Sequence, residues 1–413
     1  MNNNRINKKV YLVSDDPQEL SVLSSAADIQ GYHLIKDSKL RHEELVSRIC
    51  AIHPDLIFLD EQSLKEDPET LLEYLKENIE TSSTPIYVFT SSNGVLSEQA
   101  GKITNCKEVT TLSRGIDKSD LVNLLENALK PTVAVRFWGV RGSTPCPNKH
   151  NITYGGNTTC VQIELPFSDE LLILDSGTGI RNLGNYLNTF TENVKGNIFI
   201  THPHWDHIQG FPFFKPIYHS GNRFQVHMPP QVTGGCREIL SGHLTKTFFP
   251  VTLDMFDAEI EYITLESDRR EYNGYSIEYL LANHPISTAI YKVRVAGRTI
   301  VFCPDNELTP IEQKTNAFFY SRLKEFFKGV DLLIHDAQYN LEEYQNKVKW
   351  GHSAWETAVD FAIRSNVKNL VLTHHDPDSS DIYLKELDEY IQDQFSDKFE
   401  IGAALPGKGL KYS

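Results

Sequence analysis

The densest group of chemically capable side chains is Thr201–Gly210, T-H-P-H-W-D-H-I-Q-G. It sets His202, His204, Asp206 and His207 within six residues. The preceding run, Asn197–Thr201, is apolar and reads as a buried strand. Imidazole nitrogens and carboxylate oxygens at such a strand end suit a divalent ion, zinc first, with manganese or iron as alternatives. The plain alternative is a polar loop with chance histidines. Three of them beside one Asp, in a chain with 15 His among 413 residues, argue against it.

Later apolar runs close on further ligand types. His284 follows Tyr275–Leu281, Asp305 ends Thr299–Asp305, and Asp336 ends Asp331–Asp336. His374 ends Asn369–His374, and His375 follows it directly. His352 lies in Trp350–Ser353, just before a helical pattern over Ala354–Ser365. One histidine after a strand is ordinarily structural; a series of strand-terminal His and Asp residues points to a shared site. Asp175, closing Leu171–Asp175, reads as a brace that holds the metal loop through hydrogen bonds. For Arg141 two readings stand: a contact to an anionic substrate, or an ordinary surface arginine.

Chain length and pattern divide the sequence into residues 1–130 and 131–413. In the first part, Val10–Val13 ends in Ser14-Asp15-Asp16-Pro17, and a helical pattern covers residues 18–30. Asp55–Asp60 and Pro85–Thr90 are buried strands closed by a carboxylate and a hydroxyl, and Lys118–Leu129 is an amphipathic helix. Such alternation predicts a parallel, doubly wound (βα)5 sheet with polar groups gathered at strand C-termini. Asp15, Asp16 and Asp60 there could hold a hard cation such as magnesium. The join, Asn127–Thr132, carries no Gly/Ser tether and runs straight into the strand Val133–Trp138, which predicts a stiff connection suited to regulation.

A net charge of −15 argues against a general nucleic-acid or anionic-membrane binder, though not against a small phosphate substrate held by a metal. Six scattered cysteines (50, 106, 146, 160, 236 and 303) form no C-x-x-C pair and read as free thiols in a reducing compartment. No apolar run is long enough to span a bilayer, and the first residues lack the core of a signal peptide. These features predict a cytoplasmic protein.

Two resemblances sharpen the reading. Residues 1–130 resemble a response-regulator receiver domain. Asp15 and Asp16 match its acidic pair, Asp60 its phosphoacceptor and Thr90 its switch hydroxyl. Arg114, in Leu112–Gly115, stands where that family carries a lysine, and Glu61-Gln62-Ser63 replaces the usual Met-Pro. An arginine meets a phosphoryl oxygen with a geometry unlike that of a lysine point charge. The resemblance implies phosphorylation at Asp60 by a histidine kinase; the alternative is a degenerate receiver that only docks or forms a homodimer.

Nearly all of residues 133–413 resemble the metallo-β-lactamase superfamily, which implies an αββα sandwich with a dinuclear site at one edge. The motif H-x-H-x-D-H, then His, Asp and His, carries the match. The resemblance implies one ion on His202, His204 and His284, a second on Asp206, His207 and His374, and Asp305 shared between them. Two adjacent divalent ions activate water near neutral pH and offset charge on the attacked group. Gly351-His352-Ser353 and His335-Asp336-Ala337-Gln338 resemble the catalytic-histidine and carboxylate motifs of the ribonuclease Z branch, which implies His352 as proton donor and Asp336 as its orienting partner. Asp206 is counted with them as catalytic.

The tRNA-processing enzymes of that branch carry a long basic arm between the third His and the shared Asp. Here residues 285–304, twenty in all, separate His284 from Asp305. The expectation is therefore a small cyclic phosphodiester, such as a 3′,5′-cyclic nucleotide like cyclic AMP, rather than extended nucleic acid. An insertion between His207 and His284 offers Phe residues in Gly210–Pro216 and Gly242–Pro250, with Lys215 and Lys246, either as a base-and-phosphate pocket or as simple packing. The alternatives are a ribonuclease Z-like nuclease and a receiver-controlled adaptor whose hydrolase fold is not catalytic.

Overall fold

The computed structural model describes residues 8–38, 41–52, 54–64, 68–77, 84–90, 109–129, 133–166, 168–188, 193–309, 316–405 and 409–412. The chain divides into two compact units, one covering Met1–Thr132 and the other Val133–Pro406 with Leu410–Tyr412. Residues 130–132, the end of the join, lie outside the described residues.

The first unit has five parallel strands: β1 (Lys9–Val13), β2 (His33–Asp37), β3 (Leu56–Asp60), β4 (Ile86–Thr90) and β5 (Val109–Ser113). Their spatial order is 2-1-3-4-5, the doubly wound order in which ligands meet the sheet at strand C-termini. β1 and β3 are apolar and almost wholly buried, so helices cover both faces. The helix Pro17–Gln30 starts where Asp16 accepts hydrogen bonds from the Gln18 and Glu19 amides, with Pro17 at its first position. It ends at Gly31, whose φ of 71° is the left-handed conformation that glycine adopts without cost.

The second unit is a sandwich. Its first sheet runs, in order of first appearance, through β6 (Val133–Gly139), β7 (Cys160–Glu164), β8 (Leu171–Leu174), β9 (Lys195–Phe199), β10 (Arg223–Met228) and β11 (Glu259–Thr264). The second comprises β12 (Arg269–Tyr272), β13 (Tyr275–Leu281), β14 (Ala289–Val295), β15 (Arg298–Cys303), β16 (Leu332–Asp336), β17 (Asn369–Thr373) and β18 (Glu400–Ala403). A last strand, β19 (Gly409–Tyr412), pairs beside β6. Leu172, Leu174, Phe199, Tyr291, Phe302 and Ile334 interlock between the sheets with essentially no exposure. Burying each such side chain contributes roughly 1.5–3 kcal/mol, an upper bound against a fully extended reference. Two outer cores pack helices on the opposite faces, including Ile180–Asn188 and Cys236–His243 on one and Ala317–Phe327 and Trp355–Arg364 on the other. The layers are αββα.

The strand runs extracted from the sequence appear with small shifts of their ends. Strands β8, β9, β15, β16 and β17 end at one edge of the sandwich, and β13, antiparallel to β14, ends there too. The segment between His284 and Asp305 is the β14–β15 hairpin and nothing more. None of the described helices is long and apolar enough to cross a membrane. Cys146, Cys160, Cys236 and Cys303 are free thiols; Cys106 lies outside the described residues.

Candidate metal centre

Backbone geometry brings the strand ends together. Asp175, one residue past β8, holds φ at 61°, which turns its carboxylate back under the next loop. Asp175 Oδ1 accepts from the Thr201 amide at 2.7 Å and Oδ2 meets His207 Nδ1 at 2.7 Å. The one-turn helix Trp205–Ile208 then aims Asp206 and His207 inward. The Ser143 amide donates to Asp206 Oδ2 at 2.8 Å. His374, at φ 60°, arrives from β17.

The resulting cluster has two lobes. Ligand-type atoms of His202, His204, His284 and Asp305 lie within 4.8 Å of one another, as do those of Asp206, His207 and His374. Asp305 faces both lobes: Oδ1 is 3.1 Å from His207 Nε2 and 3.3 Å from His374 Nε2, and Oδ2 is 3.6 Å from His202 Nε2. A third grouping of Asp305, His352 and His374 sits alongside. All seven residues expected to hold metal are thus in one place.

The hydrogen bonds of the donor set fit a pair of divalent ions. Four rings are engaged at the nitrogen pointing away from the centre. His202 Nδ1 meets Thr201 Oγ1 at 3.1 Å, His207 Nδ1 meets Asp175, His284 Nδ1 meets the Gly351 carbonyl at 3.0 Å, and His374 Nδ1 meets Gln338 Oε1 at 3.1 Å. Where the outer nitrogen donates, the inner one carries a lone pair. Inner nitrogens crowd together: His202 Nε2 lies 2.8 Å and His284 Nε2 3.2 Å from His204 Nδ1. Buried His207 Nε2 and Asp305 Oδ1 face each other with no hydrogen-bond partner. Acceptors directed at acceptors in a buried site call for a cation, and the residues fit one in each lobe.

Electrostatics agree. Burial pushes His202 well below the ordinary imidazole range, aided by neighbouring rings, and takes the more exposed His204 down to about 4. Burial alone would raise Asp305 and Asp206, but the surrounding histidines hold both carboxyls well below the usual range. The centre therefore presents ionised carboxylates beside neutral His202 and His204, whereas His207, which burial alone would lower, is held well above the ordinary imidazole range by Asp206, Asp305 and Asp175.

Beside the lobes, Asp336 Oδ2 meets His352 Nδ1 at 3.1 Å and also accepts the Ser353 amide at 3.2 Å. Burial would lower the His352 pKa, yet Asp336 above all, with a smaller pull from Asp305, raises it to about 9. Its ring stacks 4.8 Å from that of His374. His375 is turned away, with Nε2 on the Ala404 carbonyl at 3.2 Å.

One expectation needs correction. Arg141 is fully buried and spends its guanidinium on the carbonyls of Gly155, Asp376 and Ser379, so it joins loops and faces no substrate. In the insertion, Phe211 and Phe214 are fully buried in the outer core and only pack, while Phe213, edge-on to Phe249, and Phe248 are exposed, so both readings of the segment stand for different rings.

Sequence reasoning missed Gln338 and Glu307. Gln338 was in view as the last letter of His335–Gln338, but its role depends on a partner 36 residues away. Buried Glu307 accepts the Tyr344 hydroxyl at 2.6 Å and the amides of Lys349 and Gly351 at 2.7 and 2.9 Å. It thereby pins the loop that carries His352. Gly351 has φ of 87°, and a Cβ there would stand 2.3 Å from His284 Nδ1.

In the first unit, Arg114 reaches the strand-end pocket and pairs closely with Asp60. Its guanidinium also lies 3.5 Å from Asp16 and 3.8 Å from Glu19. Ser63 Oγ bonds Asp60 Oδ2, and the Gln62 amide donates to Oδ1 at 3.1 Å. Thr90 is buried, and its carbonyl accepts the Arg114 amide at 3.3 Å. The Asp15 side chain is exposed, and the third carboxylate around Arg114 is Glu19. Glu19 was overlooked because it lies one helical turn into the first helix, away from the acidic pair.

Residues 174–375 match the family model described as a beta-lactamase superfamily domain. Most of the second unit thus resembles a metallo-β-lactamase superfamily domain and reads as a metal-dependent hydrolase, with a unit of 2-1-3-4-5 strand order before it. A ribonuclease Z of Prochlorococcus marinus is 23% identical over 282 residues, which cover 59% of this chain and 88% of the relative. Among solved structures, a diphosphatase from the PhnP family is similar over 68% of this chain and 97% of its own, at 18% identity and a TM-score of 0.49. A chemotaxis response regulator of Vibrio cholerae is similar over 30% of this chain and 99% of its own, at 17% identity and a TM-score of 0.26.

Proposed function

We propose that this protein is a phosphodiesterase that hydrolyses a small cyclic phosphodiester, with a 3′,5′-cyclic nucleotide such as cyclic AMP as the first candidate. One observation carries the reading: seven ligand-type side chains converge in two lobes that share Asp305, with the His352–Asp336 pair at their side. In this reading His202, His204 and His284 would hold one divalent ion and Asp206, His207 and His374 another, with Asp305 shared between the two lobes. Zinc fits the nitrogen-rich donor set best, with manganese or iron as alternatives. Ions held there supply Lewis acidity, making water nucleophilic near neutral pH and offsetting charge on the phosphoryl group.

The chain's own residues do the rest. Asp175, Gln338 and the Gly351 carbonyl fix ring orientation, so the inner nitrogens are already aimed. Asp336 holds His352 Nδ1 and favours the imidazolium, leaving Nε2 to carry a proton to the departing oxygen. The short β14–β15 hairpin and the net charge of −15 favour a small substrate. The ribonuclease Z relative favours a second reading, an activity on RNA. The Asp60 unit is proposed as the regulator; phosphoryl transfer to Asp60 from a histidine kinase requires Arg114 to leave its carboxylate.

The test is hydrolysis by the purified full chain loaded with zinc or manganese. Cyclic AMP and bis(p-nitrophenyl) phosphate should be cleaved, and His204→Ala should abolish it. Intact substrates with the wild type, or cleavage unchanged in His204→Ala, would sink the proposal. Cleavage of RNA in preference to cyclic nucleotides would establish the second reading.

A further inference from the structure

Of the insertion's phenylalanines Phe211 and Phe214 are buried and Phe213 and Phe248 are exposed, but a larger exposed ring stands on the loop that carries His352. Trp350 is 57% exposed although its chain neighbours are tied down. On one side, the Gly351 amide and carbonyl are engaged by Glu307 and His284. On the other, the Lys349 amide is held by Glu307, and Lys349 adopts φ of 70°. The Trp350 amide itself donates to the Lys347 carbonyl at 3.0 Å. A large apolar ring on a fixed backbone, kept in water, forgoes burial worth more than most single contacts.

The ring is also connected to the reacting groups. His352 lies edge-on to Tyr339, with centroids 6.2 Å apart. Lys347 Nζ stands 5.8 Å from the Tyr339 centroid and 4.1 Å from that of Trp350. A continuous strip, His352–Tyr339–Lys347–Trp350, therefore leads outward from the proton donor. Lys347 covers one part of the indole with its charge and leaves the rest open.

We propose that Trp350 is the base-binding subsite, on which the nucleobase of a nucleoside cyclic phosphate stacks while its phosphodiester lies at the metal centre. Lys347, polarising the indole and adding positive charge beside it, favours an anionic nucleotide over a neutral aromatic. This rests on the phosphodiesterase reading above and adds which part of the substrate is recognised and where. Stacking tolerates any base, because every base has a π-face; the subsite selects nucleotides as a class without choosing among them.

The experiment compares the metal-loaded full chain with Trp350→Ala and Trp350→Phe on two substrates, cyclic AMP and glycerol cyclic phosphate, which has no base. Trp350→Ala should lower the ratio of kcat/KM for cyclic AMP over the base-free ester about tenfold or more, chiefly through KM, and Trp350→Phe should restore most of it. An unchanged ratio, or equal losses on both substrates, overturns the proposal and leaves the hydrolase reading standing. If the wild type cleaves neither ester, the hydrolase reading has failed. Quenching of tryptophan fluorescence by cyclic AMP then decides the subsite alone: quenching lost in Trp350→Phe upholds it, and quenching that persists there, or is absent from the wild type, rejects it.

Discussion

Asp60 and Asp305 are both buried carboxylates at the end of a parallel strand, yet their oxygens are treated in opposite ways. Asp60 has every direction filled: Arg114 and the Gln62 amide on Oδ1, Ser63 on Oδ2. Asp305 Oδ1 has no donor and faces the inner nitrogens of His207 and His374. The first pocket carries its cation as part of the chain. The second turns carboxylate oxygens and imidazole nitrogens on one another with no Lys or Arg between them, and fits an imported cation. Composition alone would rank both as metal sites, since each gathers three or more ligand types; the direction of the hydrogen bonds separates them.

The largest effect that would test this contrast is cation removal. Dialysis against a chelator should abolish hydrolysis, and adding back zinc or manganese should restore it with about two ions per chain by elemental analysis. Ions retained by the Arg114 pocket, and none by the histidine lobes, would reverse the comparison.

Next is the donor pair. His352→Ala should reduce kcat by on the order of 10²–10⁴-fold with metal content unchanged. Its pKa, raised from 6.5 to about 9, gives a signed pH dependence. The imidazolium form predominates below that value, so kcat should fall as pH climbs through it. Asp336→Asn removes the main raising partner and should move this alkaline limb to lower pH. The same linkage stabilises the fold fully below pH 6.5 and loses that contribution as pH rises from 6.5 to about 9. Bound cations take away Asp305's share of the shift, leaving Asp336 as its source.

A smaller effect should follow from the brace. Asp175→Ala frees the His207 ring and should weaken zinc affinity about 10–100-fold, measured by competition with a chromogenic chelator. The smallest concerns the first unit. Arg114→Ala removes a charge-assisted bond of about 1.5–3 kcal/mol from Asp60, so labelling by acetyl phosphate should accelerate roughly tenfold or more. Equal labelling of both forms would mean that the arginine does not guard the carboxylate.

The strand-terminal ligands were legible in the sequence because each interrupts an apolar run, and on parallel strands such interruptions collect at one edge. His374 could be chosen over His375 only through the family pattern; the structure gives the cause, a left-handed turn at His374 that sends His375 back to Ala404. The supports were not legible. Glu307, Gln338 and Glu19 act through partners set by tertiary packing, and nothing in local spacing marks them. Arg141 misled for the converse reason: residue type suggests surface chemistry, while burial decides whether a side chain is available for it.

Ser143, Asp175 and His374 are non-glycine residues with φ near +60°, and each touches the centre. Left-handed backbone costs such a residue roughly 1–2 kcal/mol. Glycine would remove that cost at all three, so a directed-evolution campaign selecting for heat resistance without cation in the medium would be drawn to these positions. Its gains would come at Ser143, because glycine at Asp175 or His374 would also leave buried partners unpaired at about 1–3 kcal/mol each. Screening in the presence of zinc would add to the penalty at Asp175 and His374, because occupancy then rewards the chain that keeps its awkward turns.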